Sequence, residues 1–206
     1  IDPVRFLSNR STGKMGFNLA AAAAARGART ILVAGPVGLS TPPGVERIDV
    51  ETALELEARV NELASAADLI IMTAAVADFR PRVPAMSKLK KSDGVPDLEL
   101  EPNPDILAGL AETAPQAIRV GFAAETGDLE HEGSRKLSAK RAHFVVANDV
   151  SREDIGFAAD DNEVVVFART GEPTRIPLQS KALIAQRLLD LFSEELNRRE
   201  SGLVSS

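Results

Sequence analysis

The chain has 206 residues, 44% of them hydrophobic, which is enough to bury a core as one domain spanning residues 1–206. Its net charge of −6 would repel a polyanion and argues against nucleic acid as a partner. It has no cysteine and no apolar run of membrane-spanning length, which excludes disulfides and thiolate metal sites, argues against a membrane protein and favours the cytoplasm. Because the chain starts at Ile1 without a signal-peptide pattern, we expect one domain of a longer protein.

β-rich runs alternate with amphipathic stretches from the start of the chain. Strands are predicted over residues 4–8, 30–35, 47–50, 68–73, 118–123 and 143–147, several of them apolar almost throughout. Helices are predicted over residues 15–27, 52–66, 105–114 and 130–141, where apolar residues recur with helical spacing. A hairpin over residues 163–178 and a helix over residues 181–197 complete the pattern.

This alternation predicts the fold class. We expect an α/β fold with a three-layer, Rossmann-like, mainly parallel sheet, helices on both faces and the hairpin added at the C-terminal end. Ligands of such folds bind beyond the carboxyl ends of the strands, so the loops that follow the predicted strands are the candidate site.

The first of these loops runs from Ser8 to Gly16 and opens a helix. Backbone N–H groups at a helix start can hold an anion, which makes Gly13, Lys14 and Gly16 candidate phosphate contacts. The glycine spacing fits neither the dinucleotide fingerprint nor the Walker pattern, and an ordinary turn with a closely packed glycine is the alternative. Asn9 cannot be a base at neutral pH, but its amide can donate to a developing oxyanion; asparagine is also a residue that turns tolerate.

Two further loops carry polar groups. Only small side chains separate Thr73 from Asp78, so a ligand could approach this backbone closely, with Asp78 binding a ribose hydroxyl or acting as a turn former. The segment Asn103-Pro104-Asp105-Ile106 predicts a helix start with Asn103 as the cap and Pro104 as the first helical residue. That helix start either contacts phosphate or serves as a cap alone.

Lysines supply the candidate cationic contacts. The run from Lys88 to Lys91 lies in the irregular segment 81–97, which is long enough to be a lid over a triphosphate, although such a run is also typical of solvated surface. Lys136 and Lys140 lie four residues apart on one predicted helix face, where both can reach the same anion. Pairing of Lys136 with Glu132 is the structural alternative. The two histidines have no metal-ligand spacing and are interpreted as structural.

Six motifs occur in order along nearly the whole chain. They are Asp2-Pro3-Val4-Arg5 to Gly16, Ala74-Ala75-Val76-Ala77-Asp78, Lys88-Leu89-Lys90-Lys91, Asn103-Pro104-Asp105-Ile106, Gly121-Phe122-Ala123-Ala124-Glu125-Thr126 and Ala147-Asn148-Asp149-Val150. Together they closely resemble the motifs of bacterial phosphopantothenate-cysteine ligase. Each motif is weak alone, but six with compatible spacing are hard to obtain by chance.

The resemblance implies a step of coenzyme A biosynthesis. The carboxylate of 4′-phosphopantothenate attacks the α-phosphate of CTP, and the amine of L-cysteine then displaces CMP from the acyl-cytidylate. It implies that Asn9 stabilises the acyl-cytidylate, that Arg5 lies near the anionic substrate, and that Lys88 acts from a flexible strap over residues 81–97. The implied CTP contacts are Met72, Thr73, Ala74, Asp78, Lys88, Asn103, Pro104, Asp105, Ile106, Phe122, Lys136 and Lys140. Mg²⁺ would bridge the phosphates, with protein ligands that stay unassigned.

The resemblance also implies partners. The family is typically a homodimer, and the hairpin over residues 163–178 is the expected contact because an isolated two-stranded ribbon is marginally stable. In bacteria the ligase is commonly fused to a flavin-dependent phosphopantothenoylcysteine decarboxylase. The preference for CTP over ATP follows from the bacterial resemblance alone.

Two other functions fit parts of the pattern. An NAD(P)-binding enzyme like the short-chain dehydrogenases would share the strand and helix alternation, but the chain lacks G-x-G-x-x-G and has no tyrosine to act as an acid. A non-catalytic nucleotide-sensing module would use the same phosphate loops to regulate a partner.

Overall fold

A computed structural model describes residues 1–125, 127–149 and 159–202 of the chain. The helices are α1 (Lys14–Ala25), α2 (Ala53–Ala64), α3 (Ile106–Thr113), α4 (Leu129–Ala139) and α5 (Lys181–Glu200), with a short 3-10 helix at Lys91–Asp93. The strands are β1 (Thr30–Ala34), β2 (Val45–Asp49), β3 (Leu69–Met72), β4 (Phe79–Pro81), β5 (Leu100–Pro102), β6 (Ile118–Glu125), β7 (Phe144–Asp149), β8 (Asp161–Ala168) and β9 (Thr174–Ser180).

The strands pair in three groups. The largest is a five-stranded sheet in the order β3-β6-β7-β8-β9, while β1 pairs with β2 and β4 pairs with β5. The β1–β2, β3–β6 and β6–β7 pairs are parallel, as expected for strands joined by helical crossovers. The hairpin β8–β9 continues the sheet in antiparallel fashion, with β8 paired to β7.

Helices cover both faces of the large sheet. On one face, α1 and α5 pack against alternate residues of the strands, including Val120, Val146 and Val166. On the other face, α4 packs against the intervening residues, such as Val145 and Phe167. Because β7 and β8 are buried on both faces where they pair, residues 144–147 and 164–168 are apolar throughout. The α/β fold class predicted from the sequence is confirmed.

The first predicted strand is wrong. Residues 4–8 form no strand, and all five are exposed. Alternating apolar residues become a strand only when another strand pairs with them, and the backbone here instead turns at Asp2, whose Oδ1 accepts from the N–H groups of Val4 and Arg5. The N-terminal segment therefore lies outside the sheet.

The irregular segment predicted over residues 81–97 is held between two short strands. β4 and β5 pair antiparallel, with Phe79 opposite Pro102, and residues 82–99 connect them. Three-residue strands that end in Pro81 and Pro102 give almost no periodic signal, so the sequence did not predict them. We call residues 79–102 the arm and keep the name strap for residues 81–97 within it.

No helix in the described part of the chain combines the length and the hydropathy needed to cross a bilayer.

Candidate functional site

The candidate site lies at the carboxyl ends of β3 and β6. These parallel strands place Met72 opposite Gly121, so the loops that follow them leave the sheet at the same edge. Helix α3 closes over this edge because Gly121 has no side chain: a Cβ there would collide with the side chain of Leu107. The start of α3 is thereby held against β6.

The loop at the start of α1 also packs against this edge. A Cβ added to Gly16 would lie 2.6 Å from Oγ1 of Thr73, so only glycine permits the approach of α1 to the end of β3. Gly13 is the residue before the helix and has φ of 75°, a left-handed conformation that favours glycine. The first turn of α1 contains no acidic residue that would repel an anion. Lys14 forms an ion pair with Asp160 at 2.6 Å, which lowers the pKa of Asp160.

Asn9 contacts the loop after β3 directly. Its Nδ2 donates to the backbone oxygen of Val76 at 3.0 Å. A side-chain amide nitrogen carries two hydrogens, and Val76 takes one of them. The second hydrogen leaves Asn9 with a donor for a ligand, which is the chemistry that the sequence assigned to it.

The loop after β3 is joined to the start of α3 through Asn103. The backbone N–H of Asn103 donates to the oxygen of Asp78, and its side-chain Nδ2 donates to the oxygen of Ala77, both at 2.8 Å. These bonds place the exposed Asp78 beside the beginning of α3. They also close the base of the arm, because Asp78 precedes β4 and Asn103 follows β5.

The predicted cap of α3 is wrong by two residues. The cap is Asp105, whose Oδ1 accepts from the N–H of Ala108 at 3.2 Å, and the helix begins at Ile106. Asn103 does not serve as the cap because its Oδ1, the atom that would accept from the helix, accepts from Nη1 of Arg80 at 3.2 Å, and Pro104 precedes the helix instead of opening it.

Lys136 and Lys140 both reach the site edge and are paired with acidic groups. Lys136 Nζ lies 2.6 Å from Oε1 of Glu125 at the end of β6, and Lys140 Nζ lies 2.5 Å from Oδ2 of Asp105. The alternative pairing of Lys136 with Glu132 is wrong, because Glu132 pairs with Arg135 at 2.7 Å. The hydrogen bond from Arg135 lowers the pKa of Glu132 below its ordinary value. Both predicted lysines are thus positioned at the start of α3 and the end of β6.

Other predicted contacts differ in exposure. Ala74 is exposed, Thr73 is half-buried, and Met72 packs partly buried against the cluster that contains Ile106. Phe122 is partly buried against the core on the α1 and α5 face. Thr126 and Val150, the last residues of two of the motifs, lie outside the described residues.

Arg5 and Lys88 are not in contact with these groups. Arg5 forms an ion pair with Asp2, and its Nη2 donates to the backbone oxygen of Leu89 at 2.9 Å. Lys88 is exposed in the strap. The structure therefore brings together Asn9, the loop after β3, the start of α3 and Lys140, and it joins Arg5 and Lys88 to them only through the chain.

Sequence reasoning missed the acidic partners of the lysines. Asp105 and Lys140 are 35 residues apart, and Lys14 and Asp160 are 146 residues apart. No local spacing signals such pairs. Only the expectation that strand ends converge at one edge could have suggested them.

Comparison with known proteins agrees with this geometry. A family model described as DNA/pantothenate metabolism flavoprotein C-terminal domain matches residues 1–196. The coenzyme A biosynthesis bifunctional protein CoaBC of Bacillus subtilis (strain 168) is 47% identical over 92% of this chain and 47% of the relative. The CoaBC of Escherichia coli (strain K12) is 45% identical over 97% of this chain and 50% of the relative. The chain thus spans about half the length of these relatives.

Solved structures support the same assignment. A crystal structure of the C-terminal domain of CoaBC superposes with a TM-score of 0.81 at 36% identity, covering 96% of this chain and 89% of that one. The DNA/pantothenate metabolism flavoprotein from Streptococcus pneumoniae superposes with a TM-score of 0.80 at 20% identity, over 95% and 93% of the two chains, which is evidence for the fold alone. The family resemblance predicted from the motifs is confirmed, and the chain belongs to the DNA/pantothenate metabolism flavoprotein C-terminal domain family.

Proposed function

We propose that residues 1–206 are a CTP-dependent phosphopantothenate-cysteine ligase domain. A carboxylate oxygen of 4′-phosphopantothenate attacks the α-phosphorus of CTP, and pyrophosphate leaves. The amine of L-cysteine then attacks the acyl carbon of the acyl-cytidylate, CMP leaves with the electrons of the broken bond, and the amine gives up a proton. The observation that carries the proposal is the continuous set of contacts from Asn9 through the loop after β3 to the start of α3 and Lys140.

The lysines supply the charge that a triphosphate needs. Lys136 and Lys140 are compensated by Glu125 and Asp105 in the free chain, so phosphate oxygens would replace carboxylate oxygens as their partners. Such an exchange avoids exposing unpaired cations before the nucleotide arrives. The N-terminal ends of α1, with Gly13, and α3 would add backbone N–H donors.

The nucleoside would lie over the loop after β3. The exposed Ala74 offers no side chain beyond a methyl group, so a ribose or base could approach the backbone between Thr73 and Asp78. The carboxylate of Asp78 would accept from ribose hydroxyls. Met72 and Phe122, partly buried on opposite faces of the sheet, would each add an apolar contact at its edge.

Asn9 would contact the acyl-cytidylate, and Arg5 would contact the substrate from which it forms. The second amide hydrogen of Asn9 would donate to the acyl-cytidylate as negative charge develops on its oxygen. Arg5 would bind the anionic 4′-phosphopantothenate through Nη1, while its Nε and Nη2 keep their contacts to Asp2 and Leu89.

Mg²⁺ enters the proposal as the ion that accompanies the triphosphate. Within the described residues, no group of three or more acidic or histidine side chains could hold a metal ion. The phosphate oxygens of CTP and water would therefore be its main ligands, as is usual for an ion that keeps several waters.

A homodimer is part of the proposal, with its contact at the arm and the N-terminal segment. The hairpin is not the isolated ribbon that the sequence argument assumed, because β8 pairs with β7 and Val164 and Ile176 are buried in the core. Large apolar side chains are instead exposed on the N-terminal segment and the arm, among them Phe6 (77%), Val83 (80%) and Met86 (95%). Large exposed apolar side chains on these two segments support an interface there.

The rest of the full-length protein is also proposed from the relatives. Because the chain spans about half of each bifunctional relative, we infer a second half with flavin-dependent phosphopantothenoylcysteine decarboxylase activity. Both activities would operate in the cytoplasm.

Pyrophosphate release tests the proposal. We expect release that requires CTP and 4′-phosphopantothenate together, with ATP a poorer nucleotide, and a flat titration with NADH and NADPH. Release without 4′-phosphopantothenate, or saturable NADPH binding without CTP binding, would contradict the ligase assignment. CTP binding without pyrophosphate release in the presence of Mg²⁺ would instead support a nucleotide-sensing module.

A further inference from the structure

The carboxylate of Asp2 lies at the centre of a cluster that joins the N-terminal segment to the strap. Its side chain has no exposed surface. Oδ1 accepts from the backbone N–H groups of Val4 and Arg5 at 2.9 and 2.8 Å, which forms a local turn. Oδ2 accepts from Nε of Arg5 at 3.0 Å and from the backbone N–H of Leu89 at 3.1 Å. The last of these bonds spans 87 residues and is not a property of the turn.

Two further bonds fasten the strap to the same segment. Nη2 of Arg5 donates to the backbone oxygen of Leu89 at 2.9 Å, so Leu89 is held by both its N–H and its oxygen. The backbone N–H of Ala85 donates to the oxygen of Ile1 at 2.9 Å. The strap is thus fastened at two points, Ala85 and Leu89, on either side of residues 86–88.

The other ends of the connected segments lie at the candidate site. The arm begins beside Asp78 and ends beside Asn103, which hydrogen bond to each other. The N-terminal segment leads from Arg5 to Asn9, which bonds to Val76. The cluster around Asp2 therefore links the segment that carries Asn9 to the part of the strap that carries Lys88.

We propose that Asp2 is a positioning residue: its buried carboxylate binds Arg5 and the backbone of Leu89 together and so fixes where Lys88 lies relative to Asn9. A carboxylate suits this role because its bonds to Arg5 are charge-assisted, with Nε and Nη2 both donating to Oδ2, and because Oδ2 can accept from the N–H of Leu89 as well. The part of the proposal that concerns catalysis rests on the ligase function proposed above, while the attachment of the strap does not.

Trypsin provides a direct test of the attachment, because the strap carries Lys88, Lys90 and Lys91. In the protein at its natural length, Asp2→Asn should raise the rate of cleavage after these lysines about tenfold, as expected when charge-assisted hydrogen bonds are weakened and cleavage follows the open population. Asp97→Asn is the matched control, since it removes the same charge from an exposed strap residue. Trypsin should cleave the strap of this variant at the wild-type rate.

Cleavage at a second trypsin site distinguishes global unfolding from release of the strap. Arg59 lies within α2 and should stay uncut in both variants. If Asp2→Asn also exposes Arg59, Arg5→Lys becomes the test variant, because lysine keeps the charge but has no planar guanidinium whose nitrogens reach Asp2 and Leu89 together. Strap cleavage at the wild-type rate in the folded variant would overturn the proposal.

Kinetics test the positioning role. A strap that is released most of the time must be ordered by the nucleotide, so Asp2→Asn should raise KM for CTP about tenfold and change kcat less. Asp97→Asn should leave both constants unchanged. Faster strap cleavage with an unchanged KM for CTP would overturn the positioning role. Absence of any CTP-dependent turnover in the wild-type protein would instead refute the ligase function and leave the cleavage result to decide the attachment.

Discussion

At the residue scale, Asn9 gives the most specific prediction. Asn9→Asp keeps the size of the side chain but removes the amide hydrogens and adds a negative charge beside the phosphates of the intermediate. We expect amide formation to slow by about 10²- to 10³-fold, the usual cost of losing an oxyanion donor, with little change in CTP affinity. Single-turnover kinetics and equilibrium CTP binding measure the two effects. Asn61→Asp, on the exposed side of α2, is the control, and equal losses of affinity and turnover would contradict the assignment.

Residue roles predicted from the sequence were correct where the type of the residue itself determines the contact. They were wrong where the contact comes from a residue far away in the sequence. Gly16 was predicted as a close-packing glycine or an anion contact, and its approach to Thr73 confirms the packing. Asn103 was assigned as the cap of α3, but its Oδ1 accepts from Arg80, 23 residues away, and its Nδ2 donates to Ala77, 26 residues away. Local spacing carries no information about such partners.

At the element scale, the junction of β6 and β7 gives a prediction about pH. His143 at the start of β7 is buried, and its Nδ1 accepts from the backbone N–H of Arg119 at 2.9 Å. Burial, together with Arg199, Arg169 and Arg119, lowers its pKa to about 3. Below pH 6.5 His143 becomes protonated in the unfolded chain but stays neutral in the folded chain. The free energy of unfolding therefore falls as the pH drops below 6.5.

The size of this effect follows from the shift. Between pH 7.5 and pH 5 the histidine should cost about 2 kcal/mol of unfolding free energy. His143→Gln keeps an acceptor for Arg119 and has no titrating group, so it should lose this part of the pH dependence. Urea unfolding of both proteins at the two pH values measures the difference. An identical pH dependence in the two proteins would show that His143 stays uncharged in the unfolded chain as well or is protonated in the folded one.

Helices and long strands were predictable because burial imposes a period on them, as in α5, where Ile184, Leu188 and Phe192 recur every four residues. The strand expected at residues 4–8 failed because a strand also needs a neighbour, and the segment bonds to the strap instead. The arm was missed for the opposite reason, since β4 and β5 are strands by pairing alone and too short to show a pattern.

At the scale of the whole molecule, the weak motifs form a site because the fold brings their residues to one edge of the sheet. The order of parallel strands and crossover helices brings Asn9, the loops at residues 73–78 and 103–106 and the last turn of α4 together, although each is unremarkable by itself. This convergence could be expected from the fold class, whereas the acidic partners of the lysines and the attachment of the strap at Asp2 could not.

The order of product release tests the central claim that the site activates a carboxylate before it meets an amine. With CTP, Mg²⁺ and 4′-phosphopantothenate but no cysteine, the protein should release close to one pyrophosphate per site and retain the cytidylate. CMP should appear only when L-cysteine is added, together with the amide product. Release of CMP and pyrophosphate in equal amounts without 4′-phosphopantothenate, or formation of the amide before any pyrophosphate, would contradict the account.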